Sequence, residues 1–356
     1  MGRWNQRCII WPSVSQLTVE TVTARVGERV RGGRLLFVKN VIPRISDLSS
    51  SSAATQSESL DMTSSRRVLV TGASGFVGTH LTKALDAAGY WVEPHSSRSG
   101  DIANCKFEVA NVGHVFHLAA RTFVPESWKD PLSFYRVNFL GTVNVLEFCR
   151  AENASLTLMS SYVYGQPGRL PISEDEPLRA FNPYSHTKIL AEEVSQYYQE
   201  QFQVPVTIIR PFNIYGPGQD GRFLIPKILA QAINPGSEVI LVSDLRPRRD
   251  FIFVSDLIQL LVRTVFRREG GVFNAASGAS LSVREVVEMV NGLLPAPKQV
   301  LAEGSARRDE VLDVFADVSK AHQEFDWTPR TKFRDGLNET LESLKSKAGW
   351  TAGQTM

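Results

Sequence analysis

Residues 67–78 read RVLVTGASGFVG, a short apolar run that breaks into three glycines and passes into an amphipathic pattern. Such a stretch ends a buried strand, turns sharply and starts a helix. The positions of Gly72, Gly75 and Gly78 fit that turn. Gly72 allows the tight reversal, Gly75 lets a pyrophosphate approach the backbone, and Gly78 lets the helix sit close against the strand. The first helical turn would offer unpaired amides and the positive end of the helix dipole to an anion. A glycine turn that merely packs a helix on a sheet is the plain alternative. The strand-then-helix context favours a dinucleotide site, with Ser74, Phe76 and Val77 completing the loop.

From Arg67 onward short apolar runs alternate with longer amphipathic ones. The pattern predicts strands over 68–70, 115–119, 156–159 and 206–209, and helices over 76–88, 132–150 and 183–201. An α/β fold follows, a doubly wound parallel sheet of Rossmann-like type. Beyond Arg210 the alternation loosens into PFNIYGPGQ and shorter elements separated by Pro and Gly, so a smaller, mixed C-terminal substrate lobe is expected. The expected division gives 66–213 with 250–276 to an NAD(P)-binding domain, 214–249 with 277–345 to the substrate lobe, and 346–356 to a tail. Residues 1–61 stand apart, with a Ser-rich stretch from Leu48 to Ser59 and no sustained apolar period. Arg3, Arg7, Arg25, Arg29, Arg31 and Arg34 suit an organelle presequence, which Glu20, Glu28 and the β-branched run near Val19 weaken. A disordered tail or a translation start at Met62 is preferred.

The chain holds 39 Lys and Arg against 37 Asp and Glu, and the first 61 residues carry eight of the former and five of the latter. A body so near neutrality, without a cationic stripe, gives nucleic acid little to hold. Cys8, Cys105 and Cys149 are too few and too far apart for a disulfide framework or a ligand set, which fits a reducing, cytoplasmic compartment. No Cys, Asp or Glu completes a ligand set with His114 and His117, so no metal is expected. Apolar runs such as Leu257 to Val262 fall far short of the ~18–20 residues of a membrane span.

Cofactor selectivity in such folds is set just past the second strand, where an acid reads a ribose 2′-hydroxyl and a basic residue suits a 2′-phosphate. In YWVEPHSSRSGDI that position falls near Ser96, with Ser97 and Arg98 following and Glu93 too early. This leans towards NADP and leaves NAD open, with Asp101 and Ile102 placed to flank the adenine. Downstream, YSHTK puts Tyr184 and Lys188 four apart on one helix face, where an ammonium near the phenol would draw its pKa down from ~10. A Tyr and Lys at this spacing form an ordinary surface pair in most helices. Upstream, LTLMSSYVYG ends a buried strand in Ser160 and Ser161, where open parallel sheets place ligand-binding groups. Two serines that cap loop amides would be the plain reading. The ordered appearance of glycine loop, strand-end serine and Tyr/Lys helix favours a site.

With TGASGFVG, VFHLAA, VNFLGTVNVLE, SSYVYG, YSHTK, RPFNIYGPG, RRDFIFVSDL and ADVSKA in this order, the chain resembles the extended short-chain dehydrogenase/reductases, the nucleotide-sugar epimerase and dehydratase family, over about residues 67–345. The resemblance implies Tyr184 as the base, Lys188 as the residue that holds the nicotinamide ribose and tunes Tyr184, and Ser160 rather than Ser161 as the hydroxyl partner. It implies that His117, Leu118, Ala119 and Ala120 line the cofactor and that Pro211 and Phe212 approach the nicotinamide. On the substrate side it implies Ser160 and Ser161 at the sugar, Asn213, Arg249 and Arg307 at the nucleotide diphosphate, and Phe223 and Leu224 near the base. The last two would serve equally well as core.

Family dehydratases carry an Asp and a Glu directly after the serine-equivalent residue; this chain has Ser161 and Tyr162, which argues against water elimination and against decarboxylation. The stretch before VFHLAA is short, as in the family's deoxysugar 4-keto reductases. The long helices 132–150 and 184–201 resemble the pair through which members form homodimers. The expected activity is NAD(P)-dependent hydride transfer at a sugar carbon of a nucleoside-diphosphate sugar. A 4-epimerase resembling UDP-glucose 4-epimerase holds a small lead over an NDP-4-keto-6-deoxysugar reductase. The presence of Ser160, Tyr184 and Lys188 disfavours a non-catalytic NAD(P)-binding protein.

Overall fold

The computed structural model describes residues 66–304 and 310–347; the expectations for residues 1–61, Met62, Arg307 and most of the 346–356 tail lie outside the described residues. The first half of the fold runs β1 (Arg67–Thr71), α1 (Phe76–Ala87), β2 (Trp91–His95), β3 (His114–His117) and the short α2 (Val124–Lys129). A long helical stretch follows, made of α3 (Pro131–Phe134), a π-helical turn (Tyr135–Leu140) and α4 (Gly141–Glu152). Next come β4 (Ser155–Met159), α5 (Pro183–Phe202), β5 (Val206–Pro211) and β6 (Asn213–Tyr215). The second half comprises α6 (Leu224–Ile233), β7 (Val239–Val242), β8 (Arg248–Phe253), α7 (Val254–Arg263), β9 (Gly271–Ala275) and β10 (Ser280–Ser282). It closes with α8 (Val283–Asn291), β11 (Gln299–Ala302), β12 (Asp313–Val314), α9 (Ser319–Phe325) and α10 (Phe333–Lys347).

Six strands form one parallel sheet in the order β2-β1-β3-β4-β5-β9. The chain steps from β1 outward to β2 and returns on the other side of β1 with β3, so the order reverses between β1 and β3. Ligands of open α/β sheets bind beyond the strand ends at such a reversal. Side chains alternate between the faces of a strand, and β1 shows it. Val68 and Val70 pack with Leu81 and Leu85 of α1 and Leu257 and Leu261 of α7. Leu69 faces the other way, into a cluster that holds Val145 and Leu146 of α4 and Ala191 and Tyr198 of α5. Burial of both faces is the fold class expected from the sequence. No helix among the described residues is long and apolar enough to cross a membrane.

A smaller mixed sheet is built on β8, which runs parallel to β6 and β12 and antiparallel to β10. Its core holds Ile225, Ile228 and Leu229 of α6, Val286 and Val287 of α8, and Leu337 and Leu341 of α10. β8 passes directly into α7, which lies on the large sheet, so one strand-to-helix junction at Phe253 and Val254 serves both cores.

Two glycines fix how α1 meets the sheet. Gly72 has φ +71°, and a Cβ on it would lie 2.7 Å from the Ala119 amide nitrogen at the end of β3. A Cβ on Gly78 would lie 2.1 Å from the Gly72 carbonyl oxygen, so α1 rests directly on the turn that precedes it. Gly78→Ala must push the helix away, and urea denaturation should show a loss of about 1–3 kcal/mol, as for an overpacked core. A variant of unchanged stability would show that this approach has slack.

Candidate active site

A cleft of about 870 Å³ lies against the strand ends and gathers most of the expected residues. Gly72, Gly75, Phe76, Val77 and Gly78 line it, with Leu118, Ala120 and Pro211. Ser160 and Ser161 line it from the segment after β4, Tyr184 and Lys188 from α5, and Asn213, Phe223, Leu224 and Arg249 from the segments around the smaller sheet. Gly75 occupies the cap position of α1 and no side chain caps the helix, so its first amides keep their capacity for phosphate oxygens. Ser74 and Ala119 do not line the cleft: Ser74 is exposed, and the Ala119 amide donates to Thr71 Oγ1 at 3.3 Å.

The expected adenosine end lies apart from this cleft. β2 ends at His95, whose carbonyl oxygen accepts from the Ala73 amide at 3.1 Å, so Ser96 is the first residue past the strand, as the sequence count predicts. Ser96 Oγ accepts from the Arg98 amide at 3.3 Å, which leaves the Arg98 side chain exposed on a tight turn. Glu93 pairs with Arg67 at 3.7 Å, and Asp101 pairs with Arg136 at 2.6 Å. Asp101 lines a second cleft together with His95 and Cys105. Ile102 does not: it is buried with Val145 and Leu146, and its Cγ2 would meet a Cβ on Gly141 at 2.8 Å.

Local sequence positions Tyr184 and Lys188. Asn182 Oδ1 accepts from the Ser185 amide at 2.8 Å, Ser185 Oγ accepts from the Asn182 amide at 3.1 Å, and Pro183 opens the helix. Such a reciprocal cap fixes the helix start, and with it the direction of Tyr184 and, one turn on, Lys188. Two expectations change here. Ser160, on which the resemblance places the hydroxyl partner, instead donates its hydroxyl to the Glu192 carboxylate. The hydroxyl that acts on the phenol is that of Ser161, which is 9% exposed and has no hydrogen-bond partner of its own. Nor does the Lys188 ammonium draw the phenol down: Nζ donates to the Met159 carbonyl oxygen at 2.5 Å. Burial pushes the Tyr184 pKa up, and the Ser161 hydroxyl opposes that rise. Burial lowers Lys188 to about 8, with the Glu192 carboxylate opposing that fall.

Several residues escaped the sequence reading. Asn138 sits in the π-helical turn, where it accepts from the Arg121 amide at 2.8 Å and donates to Thr187 Oγ1 at 3.0 Å, tying that turn to α5. Glu192 and Arg210 form a buried ion pair behind Lys188. A signal for Glu192 existed, since it falls four residues after Lys188 on the same helix face. His114 and His117 are buried and tied to hydroxyls, His114 to Ser155 at 2.7 Å and His117 to Thr71 at 2.7 Å. At the expected substrate end, Arg249 ion-pairs with Glu310 and donates to the Val311 carbonyl oxygen at 2.7 Å. Asn213 Nδ2 donates to the Asp250 carbonyl oxygen at 3.0 Å.

If Ser161 is the working hydroxyl, Ser161→Ala should cost ~10² or more in turnover, close to the cost of Tyr184→Phe, with Ser160→Ala costing less. A reversed order in steady-state assays would return the role to Ser160. Turnover should also fall as the pH rises through about 8, where Lys188 gives up its proton. A rate that stays flat well above that pH would show that the ammonium is not needed.

The family model for the NAD dependent epimerase/dehydratase family matches residues 68–276. A GDP-6-deoxy-D-mannose reductase of Pseudomonas aeruginosa is 31% identical over 300 residues, covering 79% of this chain and 98% of its own. A UDP-glucose 4-epimerase of Corynebacterium glutamicum is 30% identical over 330 residues, covering 79% and 100%. The solved structure of RMD from Pseudomonas aeruginosa complexed with NADPH superposes with a TM-score of 0.72 at 29% identity, covering 79% of this chain and 99% of that one. Matched over more than half its length, and over nearly the full length of these relatives, the chain belongs to the NAD dependent epimerase/dehydratase family.

Proposed function

We propose that the chain is an NAD(P)-dependent epimerase of a nucleoside-diphosphate sugar that works by transient hydride transfer, with carbon four as the reacting centre. The observation that carries this reading is the single cleft shared by the glycine loop, Ser161, Tyr184, Lys188, Asn213 and Arg249. Residues 66–213 with 250–276 hold the dinucleotide, and 214–249 with 277–345 hold the nucleotide sugar. Gly72, Gly75 and the first amides of α1 take the pyrophosphate, while Lys188 reaches the nicotinamide ribose. The bound nicotinamide supplies the place where a hydride is taken up and from which it returns. Tyr184 removes the proton of the sugar hydroxyl during oxidation and restores it during reduction, and Ser161 holds the same oxygen. Arg249 grips the diphosphate in exchange for Glu310, and Arg307 joins it.

Elimination of water is disfavoured because no carboxyl group follows Ser161 to act as the second acid or base. Tyr162 stands there, donates its hydroxyl to the Gly165 carbonyl oxygen, and is pushed up in pKa by burial, so it keeps its proton. The exposed Leu132, Leu140, Tyr197 and Phe202 on the two long helical stretches support a homodimer through that face, and the sparse cysteines support a cytoplasmic setting. Incubation with a panel of nucleotide sugars tests the reading. An epimerase gives an isomer at constant cofactor, and product formed only with stoichiometric cofactor change would replace it with a reductase.

A second reading, a 4-keto reductase of an NDP-6-deoxysugar, is favoured by one observation. No carboxylate stands at the first position past β2, where Ser96 and the exposed Arg98 leave room for a 2′-phosphate. NADP should therefore bind at least as well as NAD, and Arg98→Ala should weaken NADP alone. A preference for NAD that the substitution leaves unchanged would remove this support.

A further inference from the structure

Behind the reacting pair lies a buried cluster of charge. Glu192 is 1% exposed and Arg210 4%. Arg210 Nη2 donates to Glu192 Oε2 at 2.6 Å, and Arg210 Nε reaches both carboxylate oxygens at 3.1 Å. The remaining Arg210 nitrogen, Nη1, donates to Tyr164 Oη at 3.0 Å and to the Glu174 carbonyl oxygen at 3.1 Å. Tyr164 Oη in turn donates to Asn274 Oδ1 at 2.6 Å. α5, β5 and the segment after β4 therefore meet at this one carboxylate, and β9 is joined to it through Tyr164 and Arg210. A buried ion pair of this kind is weak evidence for stability, because a well-packed apolar pair often does as well or better.

What the pair touches points elsewhere. The last peptide of β4 is clamped from two sides, with Lys188 Nζ bound to the Met159 carbonyl oxygen at 2.5 Å and Glu192 accepting from Ser160 Oγ. Side chains on successive residues of an extended segment face opposite ways. Turning Ser160 inward to Glu192 therefore leaves Ser161 for Tyr184. We propose that Glu192, braced by Arg210, is a positioning residue: it selects which of the two serines meets the substrate and supplies the counter-charge that keeps Lys188 protonated. This rests on the reading of Tyr184 and Lys188 as the reacting pair.

Few other groups could set the charge of Lys188. Tyr184 lies on the same helix, and its burial favours the neutral phenol. His117 on β3 is buried, bonded to Thr71 and Thr142, and lowered to about 3 by that burial with the Lys188 charge acting in the same direction, so it is neutral. Arg210 on β5 is spent on Glu192, Tyr164 and the Glu174 backbone. Burial acts against its charge, yet the bonds to Glu192 outweigh that and hold its pKa above the usual arginine value.

The test compares Glu192→Gln, Glu192→Asp and the neutral pair Glu192→Gln/Arg210→Met. The double variant guards against misfolding, since it does not strand the buried Arg210 charge without its carboxylate. For each, kcat/KM with the nucleotide sugar and NADPH affinity by fluorescence titration are followed against pH. The affinity arm stands even if no sugar is turned over, a result that would fault the proposed activity and not this role. The midpoint of the alkaline fall in both quantities should move down by about one pH unit in the two variants that lack the carboxylate, as for loss of a close opposite charge. Glu192→Asp should keep the wild-type midpoint at reduced kcat. An unmoved midpoint in Glu192→Gln and in the double variant, or an equal shift in Glu192→Asp, would overturn the proposal.

Discussion

Helix α1 lies so near the turn after β1 that residue 78 has room for a hydrogen atom and nothing larger. Much of the cleft depends on that contact. It holds the start of α1 over the β1–β3 reversal, where the ends of β4 and β5 also arrive. It also reaches the smaller sheet, because α7 packs with α1 and is continuous with β8, the strand that carries Arg249. Two cores with different architectures thereby share one reference point, and side chains far apart in sequence face one space.

Burial at this place works against the chemistry proposed for it. A low-dielectric setting disfavours charge, so it raises a phenol and lowers an ammonium, and both effects are present at Tyr184 and Lys188. Two neighbours oppose them. Ser161 lies against the phenol, and the Glu192 carboxylate lies one helical turn beyond the ammonium. A site that excludes water has to provide such compensation from its own side chains, and each compensating group has to be held by others in turn. The chain of bonds from Glu192 through Arg210 and Tyr164 to Asn274 is that support.

Features written in short stretches of sequence were legible. The glycine loop, the helix start at Pro183, and the position of Ser96 past β2 each depend on a handful of consecutive residues, and the structure places them where the pattern did. Features decided by distant partners were not. Which serine faces Tyr184 depends on Glu192, 32 residues further along. The partner of Arg249, Glu310, is 61 residues away. The π-helical turn was hidden for a different reason: one wide turn scarcely disturbs an apolar period, so residues 132–150 read as a regular helix. Arg210 had a signal that went unread, because an arginine closing a buried apolar strand needs an acidic partner somewhere in the fold.

Pro94 belongs to β2, the outermost strand on its side of the large sheet, and it pairs in register with Val70 of β1. A proline is tolerated there because the ladder to β1 does not need its missing N–H. The same absence spoils the outer rim as a template, since a strand arriving from another molecule would find a gap in the row of donors, beside the charged Arg67–Glu93 pair. Growth of the sheet by edge-to-edge addition is discouraged on that side, which protects a long, apolar, slowly paired parallel sheet from the aggregation that its composition would otherwise invite.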